Sequence, residues 1–211
     1  MRKSKHHYII GIDEVGRGPL AGPVTVGAVL LPLRFTPPVI GKRNHLRDSK
    51  RLSVKRREAW FSFLKKSSKK SKFISYAVSS VPPHVIDRIN ITRAANKAAT
   101  QAFLSLYRDN SRTVRKITVF LDGGLFLDTK TLEKIGFRGT TRTIIRGDEQ
   151  IPAIQLASIA AKVTRDRYMT GLSRKYPRYG FEVHKGYGTK AHRTALRKLG
   201  SSRVHRKTFV H

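Results

Sequence analysis

Residues 91–106 carry the most restrictive pattern in the chain. Ile91, Ala94, Ala95, Ala98, Ala102, Phe103 and Leu106 fall on one stripe of a helix. Alanine fills most of that stripe, so the helix packs closely on its support, as a helix lying on a sheet does. Asn90 is placed to cap it. Short apolar runs at residues 8–12, 23–31, 73–81, 116–121 and 140–145 read as strands that supply such a sheet. Further helices are predicted over 53–66, capped by Ser53 with Trp60, Phe63 and Leu64 on one face, over 152–175, entered at Pro152, and over 189–199, stopped by Gly200. The inward stripe of the second of these is Leu156, Ile159, Ala160 and Val163. Pro82-Pro83 opens a short helical turn. Residues 32–45 read as a loop, 67–72 as a basic turn and 123–139 as irregular. Strands first, then strands mixed with helices, predict an α/β domain with a mixed sheet and a basic helical segment at the C-terminal end.

Charge narrows the function classes. Lys and Arg number 44 against 13 Asp and Glu, a formal net charge of +31 in 211 residues. So basic a chain calls for a polyanion, and nucleic acid is the first choice, with an anionic membrane surface second. There is no cysteine, which excludes disulfides, thiolate metal sites and a cysteine nucleophile. No apolar run approaches a membrane span and none reads as a signal peptide, so the expectation is a cytoplasmic protein.

Among so few acids, position is informative. Asp13 and Glu14 close the first strand, Asp122 closes the fourth, and Asp148 follows the fifth. Carboxylates at the ends of neighbouring strands converge, and converging carboxylates repel unless a cation lies between them. Oxygen-only donors suit Mg²⁺ or Mn²⁺, and a divalent ion beside a basic surface points to phosphodiester hydrolysis. The other reading, that these acids pair with the many Arg and Lys residues, stays open at this level. Adjacent strand residues point to opposite faces, so Asp13 and Glu14 are expected to need a bend to act together. The glycines of Gly16-Arg17-Gly18 allow close backbone approach to a phosphate or sugar, with Arg17 as a charged fork; a plain tight turn is the alternative. No phosphate-binding P-loop, dinucleotide fingerprint, zinc-protease helix or serine-hydrolase elbow occurs.

Several blocks together resemble the type 2 ribonucleases H, specifically the ribonuclease HII family. They are residues 11–24, Asp48-Ser49-Lys50-Arg51-Leu52-Ser53, Asn90-Ile91, Leu121-Asp122-Gly123, Gly147-Asp148, residues 157–166, Tyr179-Gly180-Phe181, His184-Lys185-Gly186-Tyr187 and His205-Arg206-Lys207-Thr208-Phe209. They stand in family order. Arg17 favours this family over the related type HIII enzymes, which carry Lys there. The resemblance implies a ribonuclease H-like fold, a five-stranded mixed sheet flanked by helices, with residues 1–176 catalytic and 177–211 a helical segment and basic tail packed on them. It implies hydrolysis of RNA in RNA–DNA hybrids and cutting 5′ to single ribonucleotides in duplex DNA, leaving 3′-hydroxyl and 5′-phosphate ends. Asp13, Glu14, Asp122 and Asp148 would be catalytic and hold Mg²⁺ or Mn²⁺, two ions with substrate bound. Gly16, Arg17 and Gly18 would sense the 2′-hydroxyl. Tyr187 would stack on the following sugar, and Lys50, Ser158, Lys162 and Lys185 would hold phosphates. Asp166 is read as structural, paired with an arginine; Asp48 as ordering its loop or contacting a basic side chain; Asp128 as a decoy. The chain ends two residues past Phe209, so no sliding-clamp peptide is expected there. A monomer without an obligatory protein partner is the default. Two other classes stay in play: a basic nucleic-acid-binding protein without activity, and a DNA-cutting nuclease or integrase on the same fold.

Overall fold

The computed structural model describes residues 7–41, 45–46, 49–71, 73–110, 114 and 116–210. Asp48 lies outside the described residues. Five strands form one mixed sheet: β1 (His7–Val15), β2 (Val24–Pro32), β3 (Ser75–Val81), β4 (Lys116–Asp122) and β5 (Thr140–Ile144), in the order β3-β2-β1-β4-β5. β1 is antiparallel to β2 and parallel to β4; β2 and β3 are antiparallel, β4 and β5 parallel. The helices are α1 (Val54–Lys70), α2 (Pro83–Ile89), α3 (Ile91–Asn110), α4 (Thr129–Lys134), α5 (Gly147–Gln150), α6 (Pro152–Ser173), α7 (Phe181–His184) and α8 (Lys190–Leu199).

The alanine stripe of α3 covers one face of the sheet, packing with Ile10, Ile12, Val119 and Leu121. α1 and α6 cover the other, where Trp60, Leu64, Leu156 and Ala160 cluster with Ile9, Val29 and Leu31. The approach of α6 is close. A Cβ added at Gly11 would overlap the backbone of Ala153 and Ile154, and one at Gly27 the carbonyl of Ala157. Period-2 alternation thus assigns odd-numbered residues of β1 to the α6 face and even-numbered ones to the α3 face. A third, small cluster of Ala21, Met169, Leu172 and Phe181 fastens the C-terminal segment to the loop after β1.

Two loops read from the sequence are corrected. Residues 67–70, read as a turn, continue α1 to Lys70. Ser68 returns its hydroxyl to the Lys65 carbonyl, and lysines at 69 and 70 complement the negative end of the helix dipole. The stretch 123–139 is not wholly irregular: α4 forms because Asp128 caps it, accepting from the Thr131 N–H at 2.9 Å and from the Thr131 hydroxyl. Among the described residues no helix is long and apolar enough to cross a membrane.

Candidate active site

The site follows from strand register. β1 and β4 are parallel neighbours paired up to Ile12 and Leu121, so Asp13 and Asp122 leave the sheet side by side. Both lie on the α6 face. Asp122 pairs with Ile144 of β5, after which Arg146 takes a left-handed conformation (φ 54°) and turns the chain into α5. That turn brings Asp148 back over the strand ends, and the Gly147 N–H donates to Asp122 Oδ1 at 2.6 Å. Asp13, Asp122 and Asp148 each place a carboxylate oxygen so that all lie within 4.8 Å of one another. Asp13 and Asp148 are buried.

The expected bend in β1 is absent. The strand stays regular through Val15, so Glu14 points to the α3 face and stands outside the trio. It is still coupled to it. Burial, the Glu14 charge and then the Asp122 charge raise the Asp13 carboxyl well above the ordinary range, against the Ser158 hydroxyl and the Glu14 N–H, which hold it down. Burial likewise raises Glu14, opposed by Arg17, whose Nη1 lies 3.4 Å from Oε1. Glu14 Oε2 is buried with no partner among the described residues. Lys50 Nζ lies 3.4 Å from Asp148 Oδ2, but its side chain is 79% exposed. Ser158 on α6 shares a 2.7 Å hydrogen bond with Ser49.

The other expected residues fall in two places. Gly16-Arg17-Gly18 follows Glu14 directly. Gly16 has φ 89°, and a Cβ there would overlap Arg165 Nε, so glycine is required. Gly18 is different: it is exposed, and a Cβ there would meet nothing. Tyr187 is half-exposed, with the Arg165 guanidinium 5.7 Å from its ring. Lys185 Nζ donates to Thr170 Oγ1 at 2.8 Å and to the Glu182 carbonyl. Lys162 Nζ pairs with Asp166 at 2.9 Å, so the partner of Asp166 is this lysine one turn back and not an arginine. Asp128 caps α4 and takes no part in the cluster.

Two arginines were missed by the sequence reading. Arg165 and Arg206 are fully buried. Arg206 donates to the carbonyls of Gly16 (2.6 Å), Arg17 (2.7 Å) and Gly22 (3.0 Å). Arg165 donates to those of Pro23 (2.9 Å), Ala21 (3.1 Å) and Lys185 (3.0 Å). Three histidines support Tyr187 from behind. The Ser202 N–H donates to His205 Nδ1 at 2.9 Å, which makes His205 Nε2 the donor to His192 Nε2 at 3.1 Å. His192 Nδ1 then donates to the Tyr187 carbonyl at 2.9 Å, and the His184 ring stacks on His192. For Arg165 a signal existed: it shares the stripe of Ser158, Ala161, Met169 and Leu172 along α6, which points inward. Arg206 stands in one of the family-like blocks, but nothing local tells what it holds.

A five-stranded mixed sheet with carboxylates gathered at the ends of its central parallel strands defines a ribonuclease H-like fold. The sequence profile described as Ribonuclease HII matches residues 10–211. A ribonuclease HII of Ruminiclostridium cellulolyticum is 42% identical over 204 residues, covering 97% of this chain and 70% of that protein. One of Coxiella burnetii is 41% identical over 201 residues, covering 95% and 87%. The crystal structure of ribonuclease H2 from Pyrococcus horikoshii OT3 superposes with a TM-score of 0.71 at 26% identity, covering 95% of this chain and 93% of that one. The chain belongs to the ribonuclease HII family and is an endonucleolytic hydrolase.

Proposed function

We propose that this enzyme hydrolyses RNA in RNA–DNA hybrids, cuts 5′ to single ribonucleotides in duplex DNA, and leaves 3′-hydroxyl and 5′-phosphate ends. The observation that carries the reading is the packing of three carboxylates within 4.8 Å of one another at the end of β1, directly before a loop in which Gly18 is exposed and a Cβ there would meet nothing. Such a cluster repels itself unless a cation joins it, and its all-oxygen donors suit Mg²⁺ or Mn²⁺. The partnerless Glu14 Oε2 fits the same role. Asp13, Asp122 and Asp148, with Glu14 from the opposite pleat, would hold the metal, two ions with substrate bound. A divalent ion supplies there a more acidic bound water and charge for the leaving oxygen.

Selectivity comes from the loop. The carbonyls of Gly16 and Arg17 face Arg206 inside the protein. In a trans peptide the N–H opposes the carbonyl, so the N–H groups of Arg17 and Gly18 point the other way, toward solvent beside the acids. Two successive backbone donors, the second on an exposed glycine, suit a 2′-hydroxyl, the group that separates RNA from DNA. Tyr187, braced by Arg165 and the histidines, offers a face to the next sugar. Lys50, Ser158, Lys162 and Lys185 hold phosphates; the Lys162 and Lys185 ammonium groups each carry three donors and use one and two of them internally.

The test is cleavage of three labelled duplexes: a hybrid, a DNA duplex with one ribonucleotide, and an all-DNA control. A single cut 5′ to the ribonucleotide, dependent on added Mg²⁺ or Mn²⁺, with an end that accepts polymerase extension, is the expected result. Arg17→Ala should narrow the gap between the ribonucleotide duplex and the control. An unchanged gap removes the Arg17 side chain from sensing and leaves it to the backbone donors of the loop.

A further inference from the structure

Beside the site runs a groove of about 520 Å³ between α3 and the loop joining β4 to α4. Its α3 wall carries Arg93, Lys97 and Gln101, and its loop wall carries Phe126 and Asp128. Both walls begin at the site. Arg93 follows Thr92, whose hydroxyl accepts from Arg17 Nη2 at 3.4 Å. The loop leaves β4 at Asp122 itself.

Phe126 is 60% exposed, and its exposure is enforced. Leu125 and Leu127 on either side are buried, the Phe126 N–H donates to Asn96 Oδ1 at 3.0 Å, and the Asp128 N–H donates to Thr100 Oγ1 at 3.0 Å. The ring is therefore presented on a fixed frame against α3. Arg93 and Lys97 are exposed, and neither makes an ion pair among the described residues. They stand one helical turn apart, ~6 Å, a spacing comparable to that of successive phosphates on one strand. Asp128, the one acid lining the groove among the described residues, is committed to the N-terminus of α4, which offsets its charge. A rigid aromatic face with two free cations in line matches a sugar–phosphate backbone, ring against sugar and cations on phosphates.

We propose that this groove is a second binding subsite, taking the sugar–phosphate backbone of the substrate flanking the cleaved bond. It rests on the function proposed above, and it lies on the α3 side of the sheet, away from Tyr187, Lys162 and Lys185. Arg93 and Lys97 hold two adjacent phosphates, and Phe126 fixes the sugar near them. The groove contributes affinity and register, not chemistry.

The experiment measures cleavage and binding of a DNA duplex with one central ribonucleotide, and of the same duplex trimmed close to the ribonucleotide on its 5′ or its 3′ side. Wild type, an Arg93→Ala/Lys97→Ala double variant and Phe126→Ala are compared across a salt series. The subsite requires that the double variant raise KM about tenfold with kcat kept, and that it flatten the log Kd against log salt slope by about 2, one phosphate contact per side chain. Phe126→Ala should raise KM several-fold and leave that slope alone. Both losses should vanish on one of the trimmed duplexes and persist on the other. Folded variants with wild-type KM and salt slope, or losses equal on both trimmed duplexes, overturn the subsite. A wild type that does not prefer the ribonucleotide duplex to all-DNA overturns the underlying function and the subsite with it, whereas normal wild-type cleavage with indifferent variants removes the subsite alone.

Discussion

The acid cluster and the glycine loop stand side by side but are held in place by different means. Asp13 and Asp122 are set by the register of two adjacent parallel strands, and Asp148 by one left-handed turn after a third. The loop has no such frame. Its shape depends on Gly16 and on Arg206, 190 residues away in sequence, whose guanidinium collects three backbone carbonyls. The cluster is thus a product of the sheet, and the loop a product of the C-terminal segment closing over it. The difference implies that cutting and choosing what to cut can be separated by mutation.

The sharpest separation comes from the acids. Asp13→Asn should abolish cleavage while keeping hybrid binding, since the lost charge is local to the cluster; full activity in that variant would remove Asp13 from the chemistry. Arg206→Ala should act on the other region. It strips three buried carbonyls of their donor and should cost about 3 kcal/mol or more of stability, and the enzyme that still folds should discriminate poorly between ribonucleotide and all-DNA duplexes. A stable Arg206→Ala with full discrimination would show that the loop holds its own shape. Gly16→Ala should give the same phenotype at smaller cost. A left-handed alanine loses about 1–2 kcal/mol from its backbone alone, with the overlap on Arg165 added; melting curves and the same pair of duplexes check it.

Proton linkage provides a milder probe of each region. Burial, and then His192, hold His205 at about 4, below its ordinary 6.5. Between those values the unfolded chain takes up a proton that the folded chain refuses, so stability falls as pH drops from 6.5 toward 4 and is insensitive to this group above 6.5. His205→Gln should flatten that part of the melting-temperature profile. The acids work in the opposite sense. Asp13 and Glu14 are raised by burial and mutual repulsion, so their ionisation destabilises the metal-free fold as pH rises through their folded-state values. Added Mn²⁺ should therefore raise the melting temperature more at pH 8 than at pH 5. An equal shift at both would mean that the metal binds elsewhere.

The same contrast explains what was legible in the sequence. The strands, the alanine helix, the Ser53 and Asn90 caps and the strand-end acids are written in local pattern, and the structure reproduces them. The convergence of Asp13 with Asp122 needs only two parallel neighbours. The facing of Glu14 followed from strand periodicity, which put it on the α3 side without the bend that joint action was thought to need. The fastening of the loop was not legible, because Arg206 meets Gly16 only after the whole chain has closed. The same holds for the histidines behind Tyr187. Helix α4 was missed because Asp128 was set aside as a decoy acid and not read as a helix cap.

The most direct measurement follows a labelled DNA duplex with one ribonucleotide through a Mn²⁺ titration, with wild type beside Asp122→Asn. Wild type should make one cut 5′ to the ribonucleotide whose rate saturates with metal, while Asp122→Asn binds the duplex and leaves it intact. Equal cutting by the two, or cutting by wild type that ignores metal, would contradict a site built from the strand-end carboxylates.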